Sequence, residues 1–215
     1  MVPDLLGFGD SPKPDASYDL DCHLDALEAV VERYQPTAVV GHSMGAVVAL
    51  GAMKRWPSIS AGVLVSPAVF ESRKQARVAM RGAPILHQAT LRSTPISRAM
   101  CETVCMLRPA LQRITPMFAR DLPADVVRAG FDHTWQSYSR SMENLVLSGL
   151  VPALLRQLGD RICVIHGRED ETVPLSLVQP LAPLVGRMVV VDGDHLALLR
   201  NPKAVAAACV DWLAE

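Results

Sequence analysis

The stretch AVVGHSMGAVVAL, from Ala38 to Leu50, carries the strongest structural signal in the chain. A short apolar run ends at Gly41, the turn GHSMG follows, and the next residues are apolar on nearly all sides, as in a buried helix. A serine on such a strand-to-helix turn is held in a strained conformation with its hydroxyl exposed, which predicts Ser43 as a nucleophile. Glycine is expected to be needed at positions 41 and 45 because the strand and helix backbones pass close to the turn and leave little room for a side chain. The competing interpretation is a glycine-rich tight turn with an incidental serine.

The rest of the chain alternates short apolar runs with helical patterns. Three further runs predict buried strands: Ala61 to Val65, Ile162 to Ile165 and Met188 to Val191. This alternation indicates an α/β fold with a mostly parallel sheet that is covered by helices on both faces. The stretch from Phe70 to Leu158 interrupts it with several prolines and helical apolar spacing, so it predicts a helical insertion. We expect a core of residues 1–69 and 159–215 and an inserted unit of residues 70–158.

A serine hydroxyl needs a base to remove its proton, and the six histidines are the candidates. His195 follows the last predicted strand, and ligand sites in a parallel sheet lie outside the carboxyl ends of the strands. Because Ser43 also follows a strand, both side chains are expected at the same edge of the sheet. The other histidines are interpreted as a residue that packs beside the turn or supports the reacting residues from behind (His42), part of a strand-to-loop turn (His166), and surface or satisfied residues (His23, His87 and His133).

The base in turn needs a carboxylate that fixes its tautomer and stabilises its protonated form. Asp170 lies just past the third predicted strand, on the same edge as His195. Glu169 and Glu171 flank it, and exposure patterns in a loop do not separate the three. The two aspartates of the segment DGDH are too near to His195 in sequence to reach its far ring nitrogen, so they are expected to order the loop.

Composition excludes several other classes of function. The 215 residues carry a formal net charge of −1 with both signs mixed along the chain, so nucleic acid is not an expected partner. No apolar run approaches the ~20 residues of a membrane span, and no signal peptide pattern opens the chain, so a soluble, cytoplasmic protein that binds no membrane is expected. The five scattered cysteines suggest neither a disulfide framework nor a metal site.

Four segments in order resemble the α/β-hydrolase superfamily of esterases, lipases and C–C bond hydrolases: PDLLGFGDSPKP, GHSMG, HGREDETVP and DGDHLALLRNP. The resemblance implies that Ser43 is the nucleophile and His195 the base, and the pattern G-x-x-D-x-x-V-P selects Asp170 as the acid. It implies the Met44 amide as one oxyanion donor and the insertion as a cap over the site. It also implies a small acyl substrate and no metal or organic cofactor. The serine argues against epoxide hydrolases and haloalkane dehalogenases, which resemble this fold but use aspartate there.

The opening loop departs from the family pattern. In the family, the segment that PDLLGFGDSP resembles follows an internal strand, so Met1 and Val2 are expected to be the end of that strand. The earlier strands and a loop with the second oxyanion donor are then missing. We expect an open sheet edge at Ala38 to Val40, which allows self-association, and reduced activity. Two function hypotheses stay open: a serine hydrolase of small esters or thioesters, and a non-catalytic domain that binds a small molecule or partner. For the hydrolase, Met106 and Phe118 are predicted on the inner face of the cap.

Overall fold

A four-stranded parallel sheet forms the centre of the computed structural model, which describes residues 1–79 and 94–214. The strands are β1 Ala38–His42, β2 Ala61–Val65, β3 Ile162–Gly167 and β4 Arg187–Val191. They pair in chain order, and every pairing is parallel. The predicted α/β class with a parallel sheet is confirmed.

Helices separate all the strands. The helices of the described residues are α1 Leu20–Tyr34, α2 Met44–Arg55, α3 Arg73–Ala79, α4 Pro95–Met106, α5 Arg108–Ile114, α6 Ala124–Ala129, α7 Trp135–Ser141, α8 Leu150–Leu158, α9 Leu175–Val178, α10 Ala197–Arg200 and α11 Pro202–Leu213. A π-helical turn, Met142–Val146, follows α7. Where α1 begins, the side chain of Asp19 accepts a hydrogen bond from the Cys22 amide, a common helix start.

Two apolar cores lie on opposite faces of the sheet, because strand side chains alternate between faces. Leu64 of β2 and Val164 of β3 belong to the larger core, which also contains the buried sides of α2 and α8. Val63 and Ile165, from the same two strands, belong to the smaller core, against which α11 packs. All six residues of β3 are buried, as expected for a central strand that is covered on both faces.

The regular elements that the structure describes between β2 and β3 are all helices, joined by turns and irregular stretches, apart from an isolated bridge between Phe8 and His133. Helix α8, the last α-helix of this segment, packs against α2 in the larger core. The proposed division into residues 1–69, 70–158 and 159–215 stays a prediction. Residues 80–93 of that predicted insertion, with His87, lie outside the described residues.

Strand β1 lies at one edge of the sheet, and among the described residues it pairs with β2 alone. Val40 is accordingly half exposed. The expectation that Met1 and Val2 end a strand is wrong, since both are exposed and belong to no strand. Self-association through the β1 edge stays a prediction.

Candidate active site

The turn between β1 and α2 holds Ser43 in a strained backbone conformation. Its φ of 53° and ψ of −115° lie in a region that residues other than glycine rarely occupy. The Ser43 amide donates a hydrogen bond to the carbonyl of Val65, at 2.9 Å, and thereby ties the turn to the end of β2. A Cβ atom on Gly41 would lie 2.4 Å from the carbonyl oxygen of Gly45, so the backbones do pass close at this glycine. At Gly45 the expectation is wrong, because a Cβ there would meet no described atom within 4 Å outside the adjacent residues and the backbone of α2 itself.

A chain of two hydrogen bonds joins three of the residues that the sequence singles out. The Nε2 atom of His195 lies 2.9 Å from Oγ of Ser43. On the other side of the ring, Nδ1 of His195 lies 2.8 Å from Oδ2 of Asp170. With Nδ1–H donating to the carboxylate, Nε2 is free to accept the proton of the serine hydroxyl. This arrangement is the one that activates a serine for attack on a carbonyl.

Asp170 is buried, and its hydrogen bonds keep it ionised. Its Oδ1 atom accepts from the amides of Thr172 and Val173, at 2.9 and 2.8 Å. Burial by itself would raise the pKa of Asp170, but the hydrogen bond and charge of His195 together with the Val173 amide outweigh it and hold this pKa below its ordinary value. The carboxylate therefore stays negative beside His195 and stabilises the protonated imidazole.

The neighbouring acids occupy other positions. Glu169 accepts a hydrogen bond from the amide of Gly193, at 2.7 Å, and so joins the acid loop to the loop before His195. Glu171 is exposed. Asp194 accepts from the Leu196 amide, at 2.9 Å, and pairs with Arg200, so it orders the loop.

The two loops can meet because β3 ends in a glycine. A Cβ atom on Gly167 would lie 2.4 Å from the carbonyl oxygen of Asp194 and 2.5 Å from that of Gly193. The absence of a side chain lets the loop after β4 lie directly on the end of β3. Asp170 and His195 are thereby brought together although they follow different strands.

Four further histidines are buried or half-buried: His23, His42, His133 and His166, called here the buried histidines. Burial lowers the pKa of each of them, because the charged form loses its hydration. His166 donates from Nε2 to the carbonyl of Val173, at 2.9 Å, and so braces the acid loop. His23 does not lie at the surface, since it is fully buried; its Nε2 atom lies 3.3 Å from Oγ of Ser141, while its Nδ1 atom has no hydrogen-bond partner among the described residues.

A cavity of about 740 Å³ opens in front of Ser43 and His195. Its apolar wall includes Phe8, Met44, Phe70, Met142, Val146 and Leu196. Two of these, Met142 and Val146, belong to the π-helical turn of the predicted insertion, so this segment forms part of the wall. Met44 is the first residue of α2, where amides have no partner within the helix, and its amide is therefore available to an oxyanion.

The choice of inner-face residues from the sequence is wrong. Met106 and Phe118 are 76% and 83% exposed, and neither lines the cavity. Helix periodicity shows which residues share a face but not which face is covered, so no signal in the sequence distinguishes them from Met142 and Val146. The opening loop also contributes Phe8, which sequence reasoning missed.

Two kinds of feature are absent from the described part of the chain. Residues 1–79 and 94–214 contain no group of three or more histidine, cysteine or acidic side chains that could hold a metal ion. No helix in these ranges combines the length and the apolar character needed to cross a bilayer.

The chain is similar in sequence to known hydrolases. A family model described as "Alpha/beta hydrolase family" matches residues 1–208. A probable lysophospholipase of Arabidopsis thaliana, BODYGUARD 5, is 29% identical, over 95% of this chain and 52% of its own length. The 2-hydroxymuconate semialdehyde hydrolase of Pseudomonas sp. (strain CF600) is 27% identical, over 100% of this chain and 76% of its own length.

Solved structures show the same fold. The crystal structure of the enol-lactonase from Burkholderia xenovorans LB400 is similar with a TM-score of 0.68 at 19% identity, over 99% of this chain and 79% of that one. The chain spans about half the length of the first of these relatives, the plant protein.

Proposed function

The chain belongs to the alpha/beta hydrolase family, and from that premise we propose that it is a serine hydrolase that cleaves a small ester, thioester or related acyl compound. The observation that carries this proposal is the hydrogen-bonded series Ser43–His195–Asp170, at 2.9 and 2.8 Å. It lies at the carboxyl edge of the sheet, in the wall of an apolar cavity.

In the proposed reaction, His195 removes the hydroxyl proton of Ser43 as Oγ attacks the substrate carbonyl. The Met44 amide, at the positive end of α2, donates to the oxygen that becomes negative. His195 then gives the proton to the leaving alcohol or thiol, and an acyl group remains on Ser43. Water repeats the sequence with His195 as base and releases the acid. Asp170 stays ionised throughout and stabilises the imidazolium.

The cavity supports an apolar acyl group. Its aromatic, methionine and aliphatic walls favour a hydrocarbon chain, and its volume of about 740 Å³ lies within the usual range for small-molecule sites. The plant relative is named a probable lysophospholipase and the bacterial relative a semialdehyde hydrolase. We favour a carboxylic ester over a C–C bond, because the described residues that line the cavity include no arginine or lysine to hold an anionic substrate.

A fluorophosphonate probe tests the proposal. The wild-type chain is expected to be labelled on Ser43, and Ser43→Ala is expected to lose both labelling and hydrolysis of p-nitrophenyl esters. Ser60→Ala is the matched control, since Ser60 immediately precedes β2 and so lies at the amino ends of the strands, away from Ser43. Hydrolysis retained by purified Ser43→Ala would reject the assigned nucleophile. A folded wild-type chain that is never labelled would instead favour a non-catalytic binding domain.

A further inference from the structure

His42, the residue before Ser43, makes a hydrogen bond to the backbone of His195. Its Nε2 atom lies 2.8 Å from the carbonyl oxygen of His195, although the two residues are 153 positions apart in the chain. A carbonyl oxygen only accepts hydrogen bonds, so His42 donates from Nε2. The centroids of the two imidazole rings are 5.1 Å apart.

Two consecutive residues therefore hold opposite ends of His195. Ser43 contacts the imidazole through Oγ, and His42 contacts the backbone carbonyl through Nε2. The side chains of neighbouring residues diverge at the strained turn, which is what allows them to reach different parts of one residue. The turn that carries the nucleophile is thus also connected to the backbone of the loop that carries the base.

The environment of His42 keeps it a neutral donor. Burial is the largest influence and lowers the pKa of His42, and the adjacent charge of His195 lowers it further. The hydrogen bond to the His195 carbonyl and the negative charge of Asp170 act in the opposite direction, but the net shift is downward. With one proton on the ring, and that proton on Nε2, the tautomer is fixed.

We propose that His42 is a positioning residue, which holds the backbone of His195 so that the imidazole stays within hydrogen-bonding distance of Ser43. This inference rests on the proposed hydrolase function and goes beyond it. Side-chain bonds to Asp170 and Ser43 fix the ring only if the backbone that carries it is also fixed. Without His42, a part-buried carbonyl loses its donor, and the loop gains freedom to shift. A displacement of about 1 Å at a reacting group lowers turnover by roughly 100-fold.

Three substitutions separate the hydrogen bond from simple packing. In His42→Gln, the amide nitrogen takes a place close to that of Nε2, so the donor is kept. His42→Asn is one methylene shorter, and its amide does not reach the carbonyl. His42→Phe keeps the ring and its packing but has no donor. We expect kcat of the Asn and Phe variants to fall roughly 10- to 100-fold, with KM almost unchanged, and kcat of the Gln variant to stay close to that of the wild type.

Turnover is measured with a p-nitrophenyl ester and normalised to folded protein by circular dichroism. Equal losses in the Gln and Phe variants, or a wild-type kcat in the Phe variant, overturn the proposal. If the Phe variant does not fold, the Gln–Asn pair decides by itself, because these differ by one methylene. An inactive wild-type chain would count against the proposed function and not against the hydrogen bond.

A second measurement does not depend on activity. In the ¹⁵N spectrum of the histidine-labelled wild-type chain near pH 7, His42 is expected as the neutral tautomer with its proton on Nε2. The resonance is assigned by its loss in His42→Gln. A His42 ring that carries its proton on Nδ1 overturns the proposal whether or not the chain turns over an ester.

Discussion

The two glycines of the turn GHSMG are expected to respond in opposite ways to the same substitution. Gly41→Ala places a Cβ atom 2.4 Å from the Gly45 oxygen, 2.7 Å from the Gly45 carbonyl carbon and 2.8 Å from Cα of Ala46. All three neighbours are backbone atoms of the turn and of α2, so no side chain can rotate away. Ordinary contact begins at 3.4 Å, and the shortest of these contacts therefore requires a movement of about 1 Å.

This displacement sets the expected magnitude. Overpacking a close contact typically lowers the free energy of unfolding by about 1–3 kcal/mol. The movement also displaces Ser43, so Gly41→Ala is expected to lose roughly 100-fold in turnover or more. Gly45→Ala meets no described atom within 4 Å and lies in the first turn of α2. It is expected to be neutral or to stabilise the chain by up to about 1 kcal/mol, because alanine favours the helix.

Urea unfolding followed by tryptophan fluorescence measures the pair. A difference of about 1–4 kcal/mol between the two variants corresponds to midpoints separated by roughly 0.3–4 M urea, given slopes of about 1–3 kcal/mol per molar. Fluorophosphonate labelling rates are compared on the same samples. Equal unfolding free energies for Gly41→Ala and Gly45→Ala would refute the argument that the backbones approach closely at Gly41 alone.

Four further predictions follow from the site and the sheet edge. Asp170→Asn is expected to lower kcat by several orders of magnitude, as loss of the triad acid does elsewhere. Glu171→Gln, at the exposed neighbouring residue, is expected to leave kcat nearly unchanged, and equal losses in both variants would contradict the assignment of Asp170 as the acid. Histidines of the unfolded chain bind protons near pH 6.5, whereas the buried histidines of the folded chain bind them only at lower pH. The free energy of unfolding should therefore fall as the pH drops below about 6.5, by up to about 1.4 kcal/mol per pH unit for each histidine. A flat unfolding midpoint between pH 7 and 5 would contradict this. Met142→Ala should change the preference among p-nitrophenyl esters of different chain length, whereas Phe118→Ala should not, because Met142 alone of the two lines the cavity; the reverse result would show that the wrong wall was identified. Val40→Lys should reduce self-association in size-exclusion chromatography, because a charge on the β1 edge opposes strand pairing, and an unchanged profile would mean that the edge is not the contact.

Local patterns in the sequence were sufficient for the fold. Short apolar runs alternating with helical periodicity predict a parallel sheet with helices on both faces, and the four strands follow these runs within two residues. The physical reason is that a strand buried on both faces has to be apolar throughout, and this property is visible without tertiary information. The same rule predicts that Ser43, Asp170 and His195 share one edge, because each follows the carboxyl end of a strand.

Local sequence patterns did not determine the distances between loops that follow different strands. The sequence leaves Asp170 and its two glutamate neighbours equivalent, and the choice from residues alone depended on a family resemblance. In the structure, the approach of the loop after β4 to Gly167 brings Asp170 within 2.8 Å of His195, while Glu169 bonds to the Gly193 amide. Which carboxylate reaches the ring depends on how two loops from different strands pack, and local periodicity carries no record of that.

The same limit explains the errors at Gly45, Met106 and Phe118, and it explains why the sequence did not show which atom His42 contacts. The sequence gives no reason to distinguish the glycine before Ser43 from the one after it. In the structure, a Cβ atom would collide with the backbone of α2 at Gly41 but not at Gly45. Helix periodicity groups apolar residues on one face, but whether that face covers a cavity or meets solvent depends on the arrangement of the helices. His42 is one position from Ser43 and 153 from His195. The sequence predicted that a serine, a histidine and a carboxylate meet at one edge of a sheet, and only long-range packing decided which atoms hold them there.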